Sequence, residues 1–344
     1  MATHSPLPPR LTHADDSGPG IRRRRKGRYW TYFDHKGDRI SDREEIDRLN
    51  AIAMPPAYRD CWFCPSPRGH IQATGYDDKG RKQYRYHAEF RAAREAEKYE
   101  GCSAFGTALP RLRKRIEADL RKRSVSRDRA VAAVVRLLDL GKVRVGNESY
   151  AKTNGSFGAT TLRRRHVGIQ GKQLRLQYKA KSGKMQDRAI TDAALLRFVR
   201  QVSDLPGQHL FQYLDEDGEA HVVTSSEVNA YIRSAMGGDF TAKHFRTWGA
   251  SVLAFSHWFE AKGKTSLKAM LEPVAAALGN TPAISRKSYV HPALITLASA
   301  KDGETSIARS LPRKTRYLSR EERGFLALLG ALEKDAAEQK SAKG

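Results

Sequence analysis

The sequence predicts an α+β fold: a small, mainly β N-terminal domain, then a larger, mainly α domain carrying a small antiparallel sheet or hairpin. Three observations lead there. Up to about residue 90, short alternating stretches are separated by Gly, Pro and Asp turns. From Ala88 the apolar period becomes that of a helix. Within the helical part, "RHVGIQGKQLRLQYKAKSGKMQDRAI" returns to period two with Gly turns. The 344 residues suit about two domains.

Taken in order, residues 1–20, "MATHSPLPPRLTHADDSGPG", are rich in Pro, Gly and Ser and read as a disordered arm. They lack the apolar core of a signal peptide. The mainly β domain spans 21–90. It opens with alternation around "HKGD", a turn signal that predicts a hairpin. Ser41 with Glu44 forms a capping box, and Ile46, Leu49 and Ile52 share a helix face that Met54-Pro55-Pro56 ends. "CWFCPSPRGHIQATGYDDKGRKQYRYH" supplies short strands.

The mainly helical domain spans 91–336. "EFRAAREAEKYE" and "ALPRLRKRIEADLRKR" are basic amphipathic segments. "SRDRAVAAVVRLLDLG" has Ser126 as N-cap and Gly141 just past its end. After the small sheet, helices resume at "TDAALLRFVRQV", "SSEVNAYIRSAM", "TAKHFRTWGASVLAFSHWF" and "SLKAMLEPVAAALG". Ser319 with Glu322 opens a last helix, and 337–344 read as a frayed tail.

Charge narrows the function. The chain carries 62 Lys and Arg against 38 Asp and Glu, a formal net charge of +24. Such an excess favours a polyanionic partner, nucleic acid above all. No apolar run is long enough to span a bilayer. Three cysteines make no disulfide framework and suit a reducing cytosol. Cys61 and Cys64 form a CxxC, but no second CxxC or HxxxH completes a zinc site, so strand cysteines are the plainer reading. "GKTS" at 263–266 resembles half of a phosphate loop, yet Trp258 stands where the first glycine belongs. With neither HExxH nor a DxD pair in the basic blocks, phosphate chemistry here would draw its positive charge from Arg and Lys.

The basic blocks also contain tyrosines. In "GRKQYRYH", strand period puts Lys82, Tyr84 and Tyr86 on one face and Gln83 and Arg85 on the other. Lys and Arg can grip phosphates and Gln can bind a base edge. "VRVGNESYAKTNGSFGATTLRRRHV" sets Arg144 in a short β pattern, with Tyr150 six residues on. "AKSGK" puts Lys181 at a strand end, and "KHFRTW" puts Arg246 near a helix start. In "LGNTPAISRKSYVHP", Tyr289 follows Arg286 and Lys287. Singly, each block also fits an ordinary solvated surface.

Together, in this order and at these spacings, the five blocks resemble those of the poxvirus-type type IB DNA topoisomerases, in a bacterial form. The resemblance runs from about Ile21 to Leu329. It implies the tyrosine recombinase/topoisomerase IB fold and a monomer whose two domains clamp double-stranded DNA. It also implies relaxation of supercoils through a 3′-phosphotyrosyl intermediate, with no cofactor, neither metal nor ATP, and no membrane. The setting would be a bacterial cytoplasm, on the nucleoid. By motif, Tyr289 falls on the nucleophile, Arg144 and Arg246 on the catalytic arginines and Lys181 on the hairpin lysine. Asn280 stands where the poxvirus enzymes have histidine; it can donate a hydrogen bond but carries no charge. Tyr84 and Tyr86 match a pair that lies in the major groove, and Tyr150 matches a phosphate-contacting tyrosine. Arg286 and Lys287 would hold the backbone near the phenol. Two alternatives stand beside this reading. A tyrosine recombinase usually has H-x-x-R in the second arginine block, but Lys243 stands three before Arg246 and His244 is out of register. A non-catalytic DNA-binding protein would have no reason to keep all four charged and phenolic groups.

Overall fold

The computed structural model describes residues 7–299 and 310–341. They form two compact units, divided between Lys98 and Tyr99.

The N-terminal unit is built on β1 (Ile21–Lys26), β2 (Tyr29–Phe33), β3 (Arg59–Phe63), β4 (Ile71–Tyr76) and β5 (Lys82–Tyr86), with helix α1 (Arg43–Ala51) between β2 and β3. They make one antiparallel sheet in the order β2-β1-β3-β4-β5. Cross-strand rows alternate between its faces, as the pleat requires. One row, Ile21–Phe63–Ala73–Arg85, faces a core shared with Tyr32 and with Leu49 of α1. The next, Phe33–Arg22–Trp62–Thr74–Tyr84, faces the other way.

Three details differ from the sequence reading. The hairpin turns at Gly27-Arg28, with Gly27 at φ 63°, not at "HKGD", which instead precedes a bridge from Arg39 back to Phe33. Helix α1 is capped by Asp42, whose carboxylate accepts from the Glu44 amide at 3.1 Å, not by Ser41. Residues 7–20 are an ordered part of the unit, not a disordered arm; residues 1–6 lie outside the described residues. Thr12 bridges to Gly69, the Ala14 amide donates to His70 Nδ1 at 3.0 Å, and Trp62 Nε1 donates to the Gly18 carbonyl at 3.1 Å. These are backbone contacts, to which composition is blind. Cys61 and Cys64 lie in different apolar clusters, Cys61 beside α1 and Cys64 beside Ala14 and Trp62, an arrangement unsuited to joint chelation.

The second unit is helical. Its helices are α2 (Ala88–Arg121, which begins in the first unit), α3 (Arg127–Gly141), α4 (Glu148–Asn154), α5 (Ala193–Val202), α6 (Ser225–Met236), α7 (Ala242–Glu260), α8 (Leu267–Leu278), α9 (Pro282–Ser288), α10 (Pro292–Ser299) and α11 (Arg320–Ser341). The two basic segments around residues 89–123 fuse into α2, which continues through Pro110. Helix α3 is apolar on every side from Ala130 to Val135 and runs through the core, as such a helix must. The expected small sheet is β6 (Val167–Gln170), β7 (Gln173–Lys179) and β8 (Met185–Ile190); β9 (Gln212–Leu214) and β10 (Ala220–Val222) add a short pair. Ser319 and Glu322 form the reciprocal box expected at the start of α11, which stays helical through Ser341, into the segment expected to fray. "GKTS" is a turn whose Ser266 caps α8.

One buried ion cluster ties α2, α3 and α11 together. The Arg113 guanidinium contacts Asp139 at 2.8 Å and Glu322 at 2.7 Å, and Glu322 also accepts from Trp248 Nε1. Replacing Arg113 by Ala leaves buried Glu322 without its cation and buried Asp139 with only Arg136, 3.8 Å away. Denaturant unfolding should then report a loss of about 3–5 kcal/mol; a loss near zero would mean that other groups compensate them.

Candidate active site

The site begins with a buried cation. Helix α7 is buried on every side from Phe245 to Ser251, and this packing holds Arg246, only 5% exposed, in its first turns. Desolvating a guanidinium is costly unless it is paired, and among the described residues Arg246 pairs with no carboxylate. Its Nη1 donates instead to the Lys142 carbonyl and its Nη2 to the Leu278 carbonyl at 3.1 Å. Lys142 is the C-cap of α3 and Leu278 ends α8, so both acceptors lie at the negative end of a helix dipole.

Those two carbonyls lie two residues upstream of Arg144 and of Asn280. At the first, the chain leaves α3 through Lys142 in the left-handed region (φ 50°) and turns again at Gly146 (φ 99°). Arg144 is not in a strand as expected. Its carbonyl accepts from the Ala159 amide at 2.8 Å, and that of Val145 from Thr160 at 2.7 Å, so a turn at 159–161 holds it. Gly158 must be glycine here, since a Cβ would lie 2.6 Å from the Arg144 carbonyl oxygen. At the second, Gly279 (φ 63°) turns the chain so that Asn280 faces Arg144, whose Nη2 donates to Asn280 Oδ1 at 3.1 Å. That bond orients the amide. Its NH2 is left buried, and Asn280 Nδ2 has no acceptor among the described residues; the same is true of Arg246 Nε.

Tyr289 follows α9, a helix the sequence reading did not anticipate. Its ring lies 4.8 Å from the Arg246 guanidinium carbon. Its backbone is tied to α7, because the buried Ser251 hydroxyl lies 3.3 Å from the Tyr289 carbonyl and accepts from the His291 amide at 3.0 Å. Sequence reasoning missed Ser251; a serine on the buried face of an apolar helix was the available signal. Burial pushes the Tyr289 phenol up, but Arg246 and Arg144, by charge and by hydrogen bonding, outweigh it and hold the pKa below the usual value. Burial pushes His291 down to about 4, so it is neutral at pH 7, packed between Tyr99 and Phe325. His244 caps its own helix, its Nδ1 accepting from the Thr241 amide at 2.9 Å.

The structure thus brings together Tyr289, Arg144, Arg246 and Asn280. Lys181 stays apart from their hydrogen bonds, exposed at the β7–β8 tip beside Ser182 at φ 64°. Arg286 and Lys287 are exposed in the last turn of α9, and Tyr150 is exposed on α4. In the N-terminal unit, Tyr84 and Tyr86 stack at 5.8 Å and are exposed, and Lys82 pairs with Asp16 at 2.6 Å. Gln83 and Arg85 face the other way, bonded to Asp77 and to the Ala53 carbonyl. A cavity of about 880 Å³ lies against a different face of α7, lined by Phe245, Trp248 and the Arg113 cluster, in which one guanidinium faces two carboxylates.

A tyrosine held among arginines on a helical unit, with a five-stranded β unit before it, defines a class, and sequence comparison agrees. Residues 87–300 match the family described as "Eukaryotic DNA topoisomerase I, catalytic core", and residues 29–77 match "Bacterial DNA topoisomerase IB, N-terminal domain". The chain belongs to the type IB DNA topoisomerases, which are isomerases, and this sets aside both the recombinase and the non-catalytic alternative. Among its relatives, DNA topoisomerase 1B of Acanthamoeba polyphaga mimivirus is 32% identical over 285 residues, 79% of this chain and 85% of that protein. DNA topoisomerase I of Monkeypox virus is 21% identical over 239 residues, 67% of this chain and 73% of that one. The XerH site-specific recombinase bound to palindromic difH substrate is a more distant structural neighbour. It has 15% identity and a TM-score of 0.35 over 52% of this chain and 47% of that one, too low a likeness to carry weight.

If charge is what lowers the Tyr289 phenol, Arg246→Gln should move its titration to higher pH. NMR of the labelled tyrosine ring carbon can follow this, and an unmoved titration would point to another cause.

Proposed function

We propose that this topoisomerase binds duplex DNA as a monomer and relaxes supercoils by transient cleavage of one strand, needing neither ATP nor metal. Tyr289 Oη bonds to the backbone phosphorus and the P–O5′ bond breaks. The phenol proton passes to water, and the 5′ oxygen takes a proton from Lys181. The products are a 3′-phosphotyrosine and a free 5′-hydroxyl. Resealing is the reverse reaction, and the phosphotyrosine conserves the diester bond energy.

The observation that carries this reading is the pair of buried donors without acceptors, Arg246 Nε and Asn280 Nδ2, beside a phenol of lowered pKa. Leaving a buried donor unsatisfied costs about 1–3 kcal/mol. Orphan donors occur elsewhere, on Arg129 and Arg164 for example. The pair at this site adjoins both Arg144 and the Tyr289 ring. Nonbridging phosphate oxygens would satisfy both donors, and the guanidiniums would stabilise the charge that grows in the pentacoordinate state. Asn280 then serves as a neutral donor in the histidine's place, aimed by Arg144. The proton donor is assigned to Lys181, on the exposed β7–β8 tip. An ammonium is suited to proton transfer because its pKa shifts readily.

Mixing the protein with supercoiled plasmid in EDTA without ATP should give relaxed circles; retardation without relaxation would overturn the proposal. Tyr289→Phe should abolish both nicking and the covalent adduct. Asn280→Ala should slow cleavage by about 10²-fold or more, as when one oxyanion donor is lost, whereas Asn280→His should retain much of the rate. Lys181→Ala should recover on a substrate with a better 5′ leaving group; no recovery would remove Lys181 as the acid.

A further inference from the structure

The β1–β2 hairpin carries charge that the proposed chemistry does not use. Between Arg22 and Arg28 stand six cations: Arg22, Arg23, Arg24, Arg25, Lys26 and Arg28. Arg23 has a structural task, donating to the Met54 and Pro55 carbonyls and lying 3.9 Å over Trp30. Arg24 lies over Phe33, and Arg25 donates to the Gly27 carbonyl. Arg22, Lys26 and Arg28 are exposed, and none has a hydrogen-bonding, ionic or ring partner among the described residues. Keeping so many like charges side by side costs repulsion that no carboxylate there relieves.

The sheet register decides where these cations point. Arg22 lies in the row Phe33–Arg22–Trp62–Thr74–Tyr84, so it shares a face with Tyr84. By strand alternation Arg24 and Lys26 lie on that face too, opposite Thr31 and Tyr29, and Tyr29 is 79% exposed. At the far edge of the same face are Lys82, Tyr84 and Tyr86. Three strand spacings of about 4.8 Å separate β1 from β5, about 14 Å in all. That is less than the width of a duplex. The residues between are covered where the N-terminal segment packs on Trp62, and there Asp16 neutralises Lys82.

We propose that Arg22, Lys26 and Arg28, flanked by Tyr29, form a second phosphate-binding strip, so that DNA is held at both edges of one sheet face. This rests on DNA being the partner, as proposed above. The strip adds affinity without sequence preference, because backbone phosphates are alike along the duplex. It takes no part in the chemistry.

The test is the full-length variant Arg22→Gln/Lys26→Gln/Arg28→Gln, which leaves Arg23 in place to hold the fold. Fluorescence anisotropy with a linear duplex at several salt concentrations gives the slope of log K against log salt. Each phosphate contact contributes about 0.9 to that slope, so the variant's slope should be shallower by nearly three, with single-turnover cleavage at saturating protein unchanged. An unchanged slope overturns the strip, and so does a lowered cleavage rate at saturation. Co-sedimentation with anionic phospholipid vesicles is the other arm: if the variant loses vesicle binding but keeps the DNA slope, the strip serves lipid and the proposal fails. If the wild-type chain binds DNA with this hairpin-dependent slope yet never relaxes plasmid, the strip stands and the proposed reaction fails.

Discussion

The site depends on how a buried guanidinium is satisfied. Arg246 is inside the protein, and its partners are the carbonyls that close α3 and α8, not a carboxylate. Partial charges at helix ends compensate desolvation without cancelling the full charge. An aspartate in the same place would have cancelled the charge of Arg246 and left Arg144 alone to attract an anion. The retained charge acts on its surroundings, lowering the Tyr289 phenol together with Arg144. The same two bonds set geometry, because Arg144 and Asn280 each follow one of the acceptor carbonyls by two residues. Their mutual hydrogen bond closes the ring.

Backbone conformation makes this possible. The helices must stop abruptly for their last carbonyls to face Arg246, and left-handed residues stop them: Lys142 after α3 and Gly279 after α8. At Gly279 a side chain would also strike the Gln186 amide on β8, so the strand that leads back from the Lys181 tip packs against the turn that presents Asn280. Ser251 adds a third tie, anchoring the Tyr289 backbone to the helix that carries Arg246. Phenol and guanidinium are thereby referred to one rigid element, the condition for a site that does not reorganise during reaction.

The N-terminal unit works on another principle. Its sheet has one face buried against α1, while the other carries tyrosines on β2 and β5, with unpaired cations at the β1–β2 hairpin and the Asp16-paired Lys82 on β5. Alternation in "GRKQYRYH" made Tyr84 and Tyr86 legible as one face, with Gln83 and Arg85 on the other. The cations of β1 were visible as a run, but their shared face with Tyr84 came only from strand order and register. The ordered segment at 7–20 was misread because its order comes from backbone pairing with Gly69 and His70 and from close approach to Trp62, none of which composition records.

By itself, the sequence determined the two-part α+β organisation, most helices, the small sheet and the residues proposed to react, because period, capping and motif chemistry are local. It also exposed the substitution at Asn280. Tertiary structure decided what those groups do to one another. That Arg246 is compensated by helix ends, that Arg144 aims the Asn280 amide, that Ser251 holds Tyr289 and that His291 packs between Tyr99 and Phe325 all depend on contacts between residues far apart in the chain. Desolvation and long-range hydrogen bonding set these relations, and neither exists until the chain has folded.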